Sequence, residues 1–515
     1  MKINLKILKK KFPLKIEYLK KRPSVLVSDR LRLDHNLRSI ILAFILNKSK
    51  KINPYVISDK TNFEKDDFFK IFNFKKVNIK FRKSKILFFN IGPKILLSII
   101  FFYLLSIFKK NKIKWLINDY KCEEINIGDL VYDTYIRYGN KFIKPNIYCM
   151  SFLKILFIGI YKTYIIKYYT KKLKVSCIIS NQKGYLSFGN LLLRYGAKNN
   201  YLTILNGYNF IKIYKNYRES MSTPWRINSK LLSKKQINKN KIINFYKNRN
   251  IVKQSGSYVD LSTLKKAYGN KKNYKFDIFL KKQKDKYKYL NLFALHCFSD
   301  APHVCGELIF NDFYDQFIET IKFIRSSREE SLWLIKPHPA RNDYGEKGIV
   351  EDKLKLFNIK NVILCPDNIN NSQLFNHVDN LVTGVSTISL EFACHGKKSI
   401  ISGNAPYFHK KLFYQPKTKI EYFKKLKNIN YLNNRLSKKE IFLSKKILYI
   451  LENHININLR KSSLLPDYYL KQFKSDKNYL KKLIKNLSNN NNYNIINDPM
   501  YKDIEKIITT KLGNY

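Results

Sequence analysis

The sequence predicts an α/β fold: two doubly wound domains facing across a cleft, followed by a helical C-terminal tail. Three observations carry that prediction. Short apolar runs alternate with helix-length segments through most of the chain, the pattern of mostly parallel sheets. Two of the runs lead straight into polar segments, Lys-Pro-His-Pro at 336–339 and Gly-Val-Ser-Thr at 384–387, and an open parallel sheet binds its ligands just beyond such strand ends. A stretch at 214–284, rich in Lys and Asn and poor in strand signal, separates two alternating regions. A chain of 515 residues holds two or three domains. They are expected at 24–245 and 285–410, with a helical region at 411–515 packing back on them.

In the first region, Ser-Val-Leu-Val-Ser-Asp at 24–29 reads as a strand, 30–35 as its exit loop and 36–46 as a helix. Strands are expected at 55–58 and 85–90, then an apolar helix around Ile95. Gly128 and Asp129 open a helix with Asp129 as N-cap, and Asp133 falls one turn further on the same side. A strand at 175–180, a helix at 185–195 closed by Gly196 as its C′ residue, and a strand at 201–205 follow. In the second region, strands are expected at 289–296, 332–336, 361–365, 381–384 and 399–402. Helices are expected at 311–325, at 353–357 as a helix end, at 372–377 and at 388–395. The tail from 420 reads as helical, with an Asn-rich loop at 489–492.

Composition narrows the function classes. With 45% hydrophobic and 15% aromatic residues the chain folds. Its formal charge of +60 favours an anionic partner such as a nucleotide, nucleic acid, lipid or acidic glycan. Lys, Asn and Ile recur everywhere, however, so most of the charge reads as compositional bias and nucleic acid is a disfavoured partner. Seven cysteines, an odd number with no C-x-x-C spacing, indicate neither a disulfide framework nor a zinc site. The Gly-x-Gly-x-x-Gly and P-loop patterns are absent. The first 22 residues carry no apolar signal core, which predicts a cytoplasmic protein. The lysine-flanked apolar runs at 95–108 and 152–169 read first as core helices and second as a peripheral contact with the anionic inner face of a membrane.

The chemistry concentrates at the two strand exits. Prolines 337 and 339 stiffen the turn that presents Lys336 and His338. A lysine and a histidine there suit a phosphate leaving group, one as a point charge and the other as a hydrogen-bond or proton donor. The same segment would also serve as a rigid structural turn. Gly384, Ser386 and Thr387 precede a helix whose free N–H groups favour an anion, although Ser and Thr there also suit a plain N-cap. Glu391, on the same helix face as Thr387, reads as a ribose ligand or a capping carboxylate. Asp300 and His303, in the loop after the 289–296 strand, are expected to point into the same crevice. Asp34, His35, Asp129 and Asp133 are acid/base candidates in the first region, and several of them equally suit helix caps. No metal and no cofactor is expected.

Lys-Pro-His-Pro at 336–339, Gly-Val-Ser-Thr-Ile-Ser-Leu-Glu at 384–391, Gly-Lys-Lys-Ser at 396–399 and Asn-Ala-Pro-Tyr at 404–407 together resemble the bacterial capsule-polysaccharide glycosyltransferases. That group includes Kdo transferases and, more distantly, sialyltransferases. The resemblance covers roughly 289–407. It implies a GT-B-like fold of two Rossmann-like domains, a nucleotide-sugar donor bound by the second domain, and a lipid-linked or polysaccharide acceptor met by the first. It further implies that His338 contacts the donor phosphate, that Ser386 and Thr387 bind phosphate, and that Glu391 lies at the nucleoside. His338, Asp133 and Asp34 are then the catalytic candidates. The acidic-glycine motif of sialyltransferases is absent. A CMP-linked Kdo-like acid is the first candidate donor within a hexosyl- or Kdo/sialyl-type transferase. A nucleotide-sugar 2-epimerase on the same architecture and a basic nucleic-acid-binding protein are the alternatives.

Overall fold

The computed structural model describes residues 16–29, 33–58, 72–77, 85–139, 145–181, 184–207, 210–221, 236–249, 273–304, 308–327, 330–367, 369–405, 407–453 and 493–512, with isolated positions around them. The chain divides into two compact units. One is Met1–Pro224 with Asn456–Tyr515, and the other is Trp225–Ile455. The break at 224/225 lies inside the polar 214–284 stretch, nearer its start than the 245 and 285 bounds expected for the two domains. The region beyond 411 is not one tail: its first part stays with the second unit and its last part belongs to the first.

The first unit is built on a six-stranded sheet in the order β3-β2-β1-β6-β7-β8. Its strands are β1 (Ser24–Ser28), β2 (Asn53–Ile57), β3 (Lys75–Lys76), β6 (Val175–Ser180), β7 (Leu202–Asn206) and β8 (Ile211–Tyr214). All pair in parallel except β8, which runs antiparallel to β7. A small hairpin, β4 (Lys121–Cys122) with β5 (Ile125–Asn126), stands apart. Alternation along β1 sends Val25 and Val27 into one core and Leu26 into the other, so both faces are covered. The first core is closed by helix α1 (Leu33–Lys50) and by the late helix Pro499–Leu512. The second is closed by α2 (Lys85–Ile107), α3 (Lys112–Asp119), α4 (Gly128–Tyr138), α5 (Met150–Lys172) and α6 (Phe188–Lys198).

Three local expectations change here. Residues 85–90 are the first turns of α2, not a strand; a continuous apolar run has no period of its own, and only its length reveals the helix. Asp129 is inside α4, whose N-cap is Ile127. Gly128 is required there because a Cβ would stand 1.7 Å from the Leu116 carbonyl oxygen of α3. Gly196 lies within α6, where a Cβ would come within 2.6 Å of Ile178 and Thr203. It permits close helix–sheet approach, and Asn200, at φ 58°, takes the left-handed position after the helix.

The second unit holds six strands in the order β11-β10-β9-β12-β13-β14, all parallel. They are β9 (Tyr289–Ala294), β10 (Ser331–Lys336), β11 (Val362–Leu364), β12 (Asn380–Thr383), β13 (Ser399–Ile401) and β14 (Phe413–Tyr414). Its helices include α7 (Phe313–Arg325), α8 (Ile349–Phe357), α9 (Asn371–His377), α10 (Ile388–Cys394), α11 (Lys419–Lys427) and α12 (Lys438–Asn453). Asp312 caps α7 by accepting from Asp315 N–H. Strand order reverses at β9, which has β10 on one side and β12 on the other. Ala294 is in register with both Lys336 and Thr383. Three strands thus end level, and their exit loops leave side by side.

Candidate active site

The level ending decides what meets what. His296 and His338 each stand two residues beyond a paired position, Ala294 and Lys336. Their rings are nearly parallel, with centroids 6.2 Å apart and an interplanar angle of 8°. The exit of β12, beginning at Gly384, closes on the His296 ring. Val385 N–H donates to His296 Nε2 at 3.0 Å. That ring also stacks on Phe313 at 4.1 Å. Glycine is required at 384 because a Cβ would lie 2.8 Å from His296 Cδ2 and 2.9 Å from Phe313. With Nε2 accepting, the proton of the neutral imidazole sits on Nδ1. Burial, helped by the neighbouring His338, lowers the pKa of His296 to about 3. His296 is therefore a neutral imidazole with a fixed tautomer.

His338 is half-buried. Its Nδ1 accepts from Ala340 N–H at 3.2 Å and lies 3.1 Å from the Cys297 thiol. Its neutral form accordingly carries hydrogen on Nε2. The turn is anchored from behind, since buried Arg341 bonds Glu351 and Asp367 at 3.0 and 3.1 Å. The Gly384 loop is anchored by the buried Tyr407 hydroxyl, which lies 3.1 Å from the Val385 carbonyl, against the Ser386 carbonyl, and 2.8 Å from Ser389 Oγ. Ser386 and Thr387 remain half-exposed. Among the described residues neither hydroxyl has a partner, and Thr387 stands at the start of α10 without making a side-chain cap. Two preorganised hydroxyls, the first-turn amides and an Nε2–H donor form an arrangement suited to an anion.

Other expected members lie elsewhere. Lys336 is buried and donates to the Ile369 carbonyl at 3.2 Å, and burial lowers its pKa. It braces the backbone at Ile369 instead of facing a ligand. Glu391 is buried, accepting from Asn371 at 3.4 Å. Asp300 accepts from the Tyr344 hydroxyl at 2.7 Å, and His303 is buried in the following turn. The carboxylate that organises that loop is Glu346, which accepts from Phe298 N–H, Ser299 N–H and Ser299 Oγ–H at 2.8, 3.0 and 2.8 Å. Sequence reasoning missed His296, Glu346 and Tyr407.

In the first unit, Asp129 is committed to a buried bidentate pair with Arg194, both contacts at 2.6 Å. Asp133 is buried at 1% exposure in the same helix, within reach of the Arg194 charge. The Asp34 side chain lies outside the described residues. His35 is fully buried, with Nδ1 2.7 Å from Arg38 Nη2. The carboxyl ends of β1, β6 and β7 carry a polar cluster that no motif announced. Asn181 bonds the Ser28 carbonyl (2.9 Å) and Ser39 Oγ (2.6 Å), and Asn206 bonds Asn181 (2.7 Å) and the His35 carbonyl (3.1 Å). Among the described residues no three His, Cys, Asp or Glu side chains converge as a metal site.

Residues 211–458 match the model of a family described as capsule polysaccharide biosynthesis protein. No curated protein matches the chain. Among solved structures it is similar to the Thermosulfurimonas dismutans KpsC, a beta Kdo 2,4 transferase, at 13% identity over 53% of this chain and 79% of that one, with a TM-score of 0.30. It is similar to a glycosyltransferase from Rickettsia africae at 9% identity over 96% and 100% of the two chains, TM-score 0.27. It is also similar to the UDP-GlcNAc 2-epimerase of Methanocaldococcus jannaschii at 12% identity over 84% and 99%, TM-score 0.27. At these identities and scores none of the three carries its activity over to this chain.

Proposed function

We propose, from the match of residues 211–458 to the capsule polysaccharide biosynthesis family, that the chain is a glycosyltransferase. It moves a sugar from a nucleotide-activated donor to a growing capsule or surface polysaccharide. The observation that supports this most is the pair of level imidazoles beside the Gly384 loop. In this reading the donor phosphate lies against the Ser386 and Thr387 hydroxyls and the first-turn amides of α10. His338 donates from Nε2 as charge develops on the departing phosphate, an interaction that strengthens in the transition state. His296, held neutral, keeps the β9 and β12 exits in register without placing a cation beside His338. Glu391, a buried residue of α10 bonded to Asn371, supports the nucleoside end from within the fold. A CMP-linked Kdo-like acid is the donor favoured by the motif resemblance, with a lipid-linked or polysaccharide acceptor.

Candidate donors incubated with the enzyme, with and without acceptor glycan and in the presence of EDTA, test the reading. Nucleotide release that requires acceptor and survives EDTA is the expected result. Isomerised nucleotide-sugar formed from donor alone would identify an epimerase. Strict dependence on Mg²⁺ or Mn²⁺ would remove His338 from its assigned role.

A further inference from the structure

Helix α2 holds the one window among the described residues long and apolar enough to cross a membrane, and the core uses only one side of it. Ile91, Ile95 and Phe102 are buried. Phe102 is wedged among Trp115, Tyr120 and Phe152, at centroid distances of 5.4, 4.8 and 5.9 Å. Its hydroxyls also turn inward: Ser98 Oγ meets Tyr164 OH at 3.0 Å, and Ser106 donates to the Tyr103 carbonyl at 2.8 Å. The outer side carries Leu96, Leu97, Ile100, Phe101, Leu104 and, just past the helix, Phe108, all exposed. These positions recur at helical spacing and form one stripe. Phe101 is 61% exposed and Phe108 82%. From Phe89 to Ile107 only 22% of the helix is buried. A soluble surface rarely leaves so large a contiguous apolar patch without a partner.

Along the chain, the charge flanking the stripe has one sign; the nearby Glu123 is paired with Lys167. No Asp or Glu occurs between Asp67 and Asp119. Lys94 lies at one end, and Lys109, Lys110, Lys112 and Lys114 lie at the other. Lys112 donates to Tyr148 OH at 2.6 Å and Lys109 lies 5.8 Å over the Trp115 ring, an aromatic and lysine border of the kind found where protein meets lipid headgroups.

We propose that this face docks in the plane of an anionic lipid bilayer. The stripe enters the acyl boundary and the lysines lie at the headgroup phosphates. The apolar window is long enough to span, since ~1.5 Å per residue over 19 residues gives about 28 Å. Spanning would strip Phe102 from its three aromatic neighbours and break the Ser98–Tyr164 contact, so the helix lies flat against its own unit. A second copy on the same face would set lysines against lysines in either orientation, whereas an anionic lipid surface complements both ends. The inference rests on this face alone, independently of the reaction proposed above.

The experiment is flotation of the full chain with phosphatidylcholine vesicles and with vesicles that also contain phosphatidylglycerol. The chain is expected to float with the anionic vesicles, and alkaline carbonate is expected to release it. Leu97→Ser, Phe101→Ser and Leu104→Ser each remove one large exposed side chain at about tenfold in partitioning, so the triple variant weakens binding by about 10³-fold with an unchanged circular dichroism spectrum. Lys109→Gln with Lys110→Gln weakens binding to the anionic vesicles by about tenfold or more and leaves neutral vesicles unaffected. No flotation of the folded wild type, or undiminished flotation of the triple variant, overturns the proposal. So does carbonate-resistant insertion, or a dimer that the triple substitution converts to monomer. None of these readings uses donor or acceptor, so their failure leaves the reaction untouched.

Discussion

Replacing His296 by glutamine tests the geometry of the strand exits through a proton. The imidazole is neutral in the fold, with its pKa lowered from the ordinary 6.5 to about 3. The unfolded chain therefore binds a proton that the folded chain refuses. Stability from this group is complete above pH 6.5 and is lost as pH falls from there toward 3. At pH 5 an unfolded imidazole of ordinary pKa is protonated about thirtyfold in excess of the neutral form. At ~1.4 kcal/mol per tenfold the loss between pH 8 and pH 5 is at most about 2 kcal/mol. Glutamine retains an acceptor for Val385 N–H and does not titrate, so the variant lacks this pH term whatever its absolute stability. Urea unfolding of both proteins at pH 8 and pH 5 measures the difference between the two pH responses. The wild type should lose more than the variant, by a margin approaching 2 kcal/mol. Identical pH responses would mean that His296 protonates freely in the fold. The Val385 bond and the Phe313 stack would then not hold it as described.

His338→Ala should leave the fold intact and lower kcat by ~10²–10³, the cost of one preorganised donor, with donor KM less affected. Steady-state rates against Lys424→Ala, on the exposed side of α11, supply the comparison. Ser386→Ala and Thr387→Ala should raise donor KM several-fold and change kcat little, measured by donor titration at saturating acceptor. Asp129→Asn should destabilise the first unit by ~3–5 kcal/mol, because it leaves Arg194 buried beside a neutral partner. Thermal melting reads that loss, and an unchanged melt would show that water reaches the pair.

Much of the second unit was legible in the sequence because its strands are buried on both faces. They appear as apolar runs bounded by turn residues, and β9, β10, β12 and β13 fall within one or two residues of expectation. His338 and the Ser386–Thr387 pair were legible for a related reason: a run that ends in polar residues marks a strand exit. His296 was not, because its importance depends on Ala294, Lys336 and Thr383 standing in one row, and register is a long-range property. Lysine orientation was not legible either. In a chain so rich in lysine, sequence does not say which lysines turn inward. Lys336, expected at the phosphate, bonds the Ile369 carbonyl, and Lys397 donates to the Val378 and Phe375 carbonyls at 2.6 and 3.4 Å near the end of α9. Asp129 looked like a cap because its true partner, Arg194, lies in another helix.

The return of the last segment to the first unit has a consequence for how the protein is made. Met500, Tyr501, Ile504 and Ile508, from the helix Pro499–Leu512, share one core with Leu37, Ile41 and Val25 from near the other end of the chain. During synthesis α1 leaves the ribosome long before that helix exists. The whole of Trp225–Ile455 is translated in between and can reach its fold first. Until then the part of the α1 surface that meets the late helix waits uncovered, although the rest can pack on the sheet. A chain stopped at 455 would keep the strand-exit imidazoles of the second unit while its first unit lacked one wall. Emergence of the helix Pro499–Leu512, rather than emergence of the first unit's strands, is the event that lets the N-terminal core close.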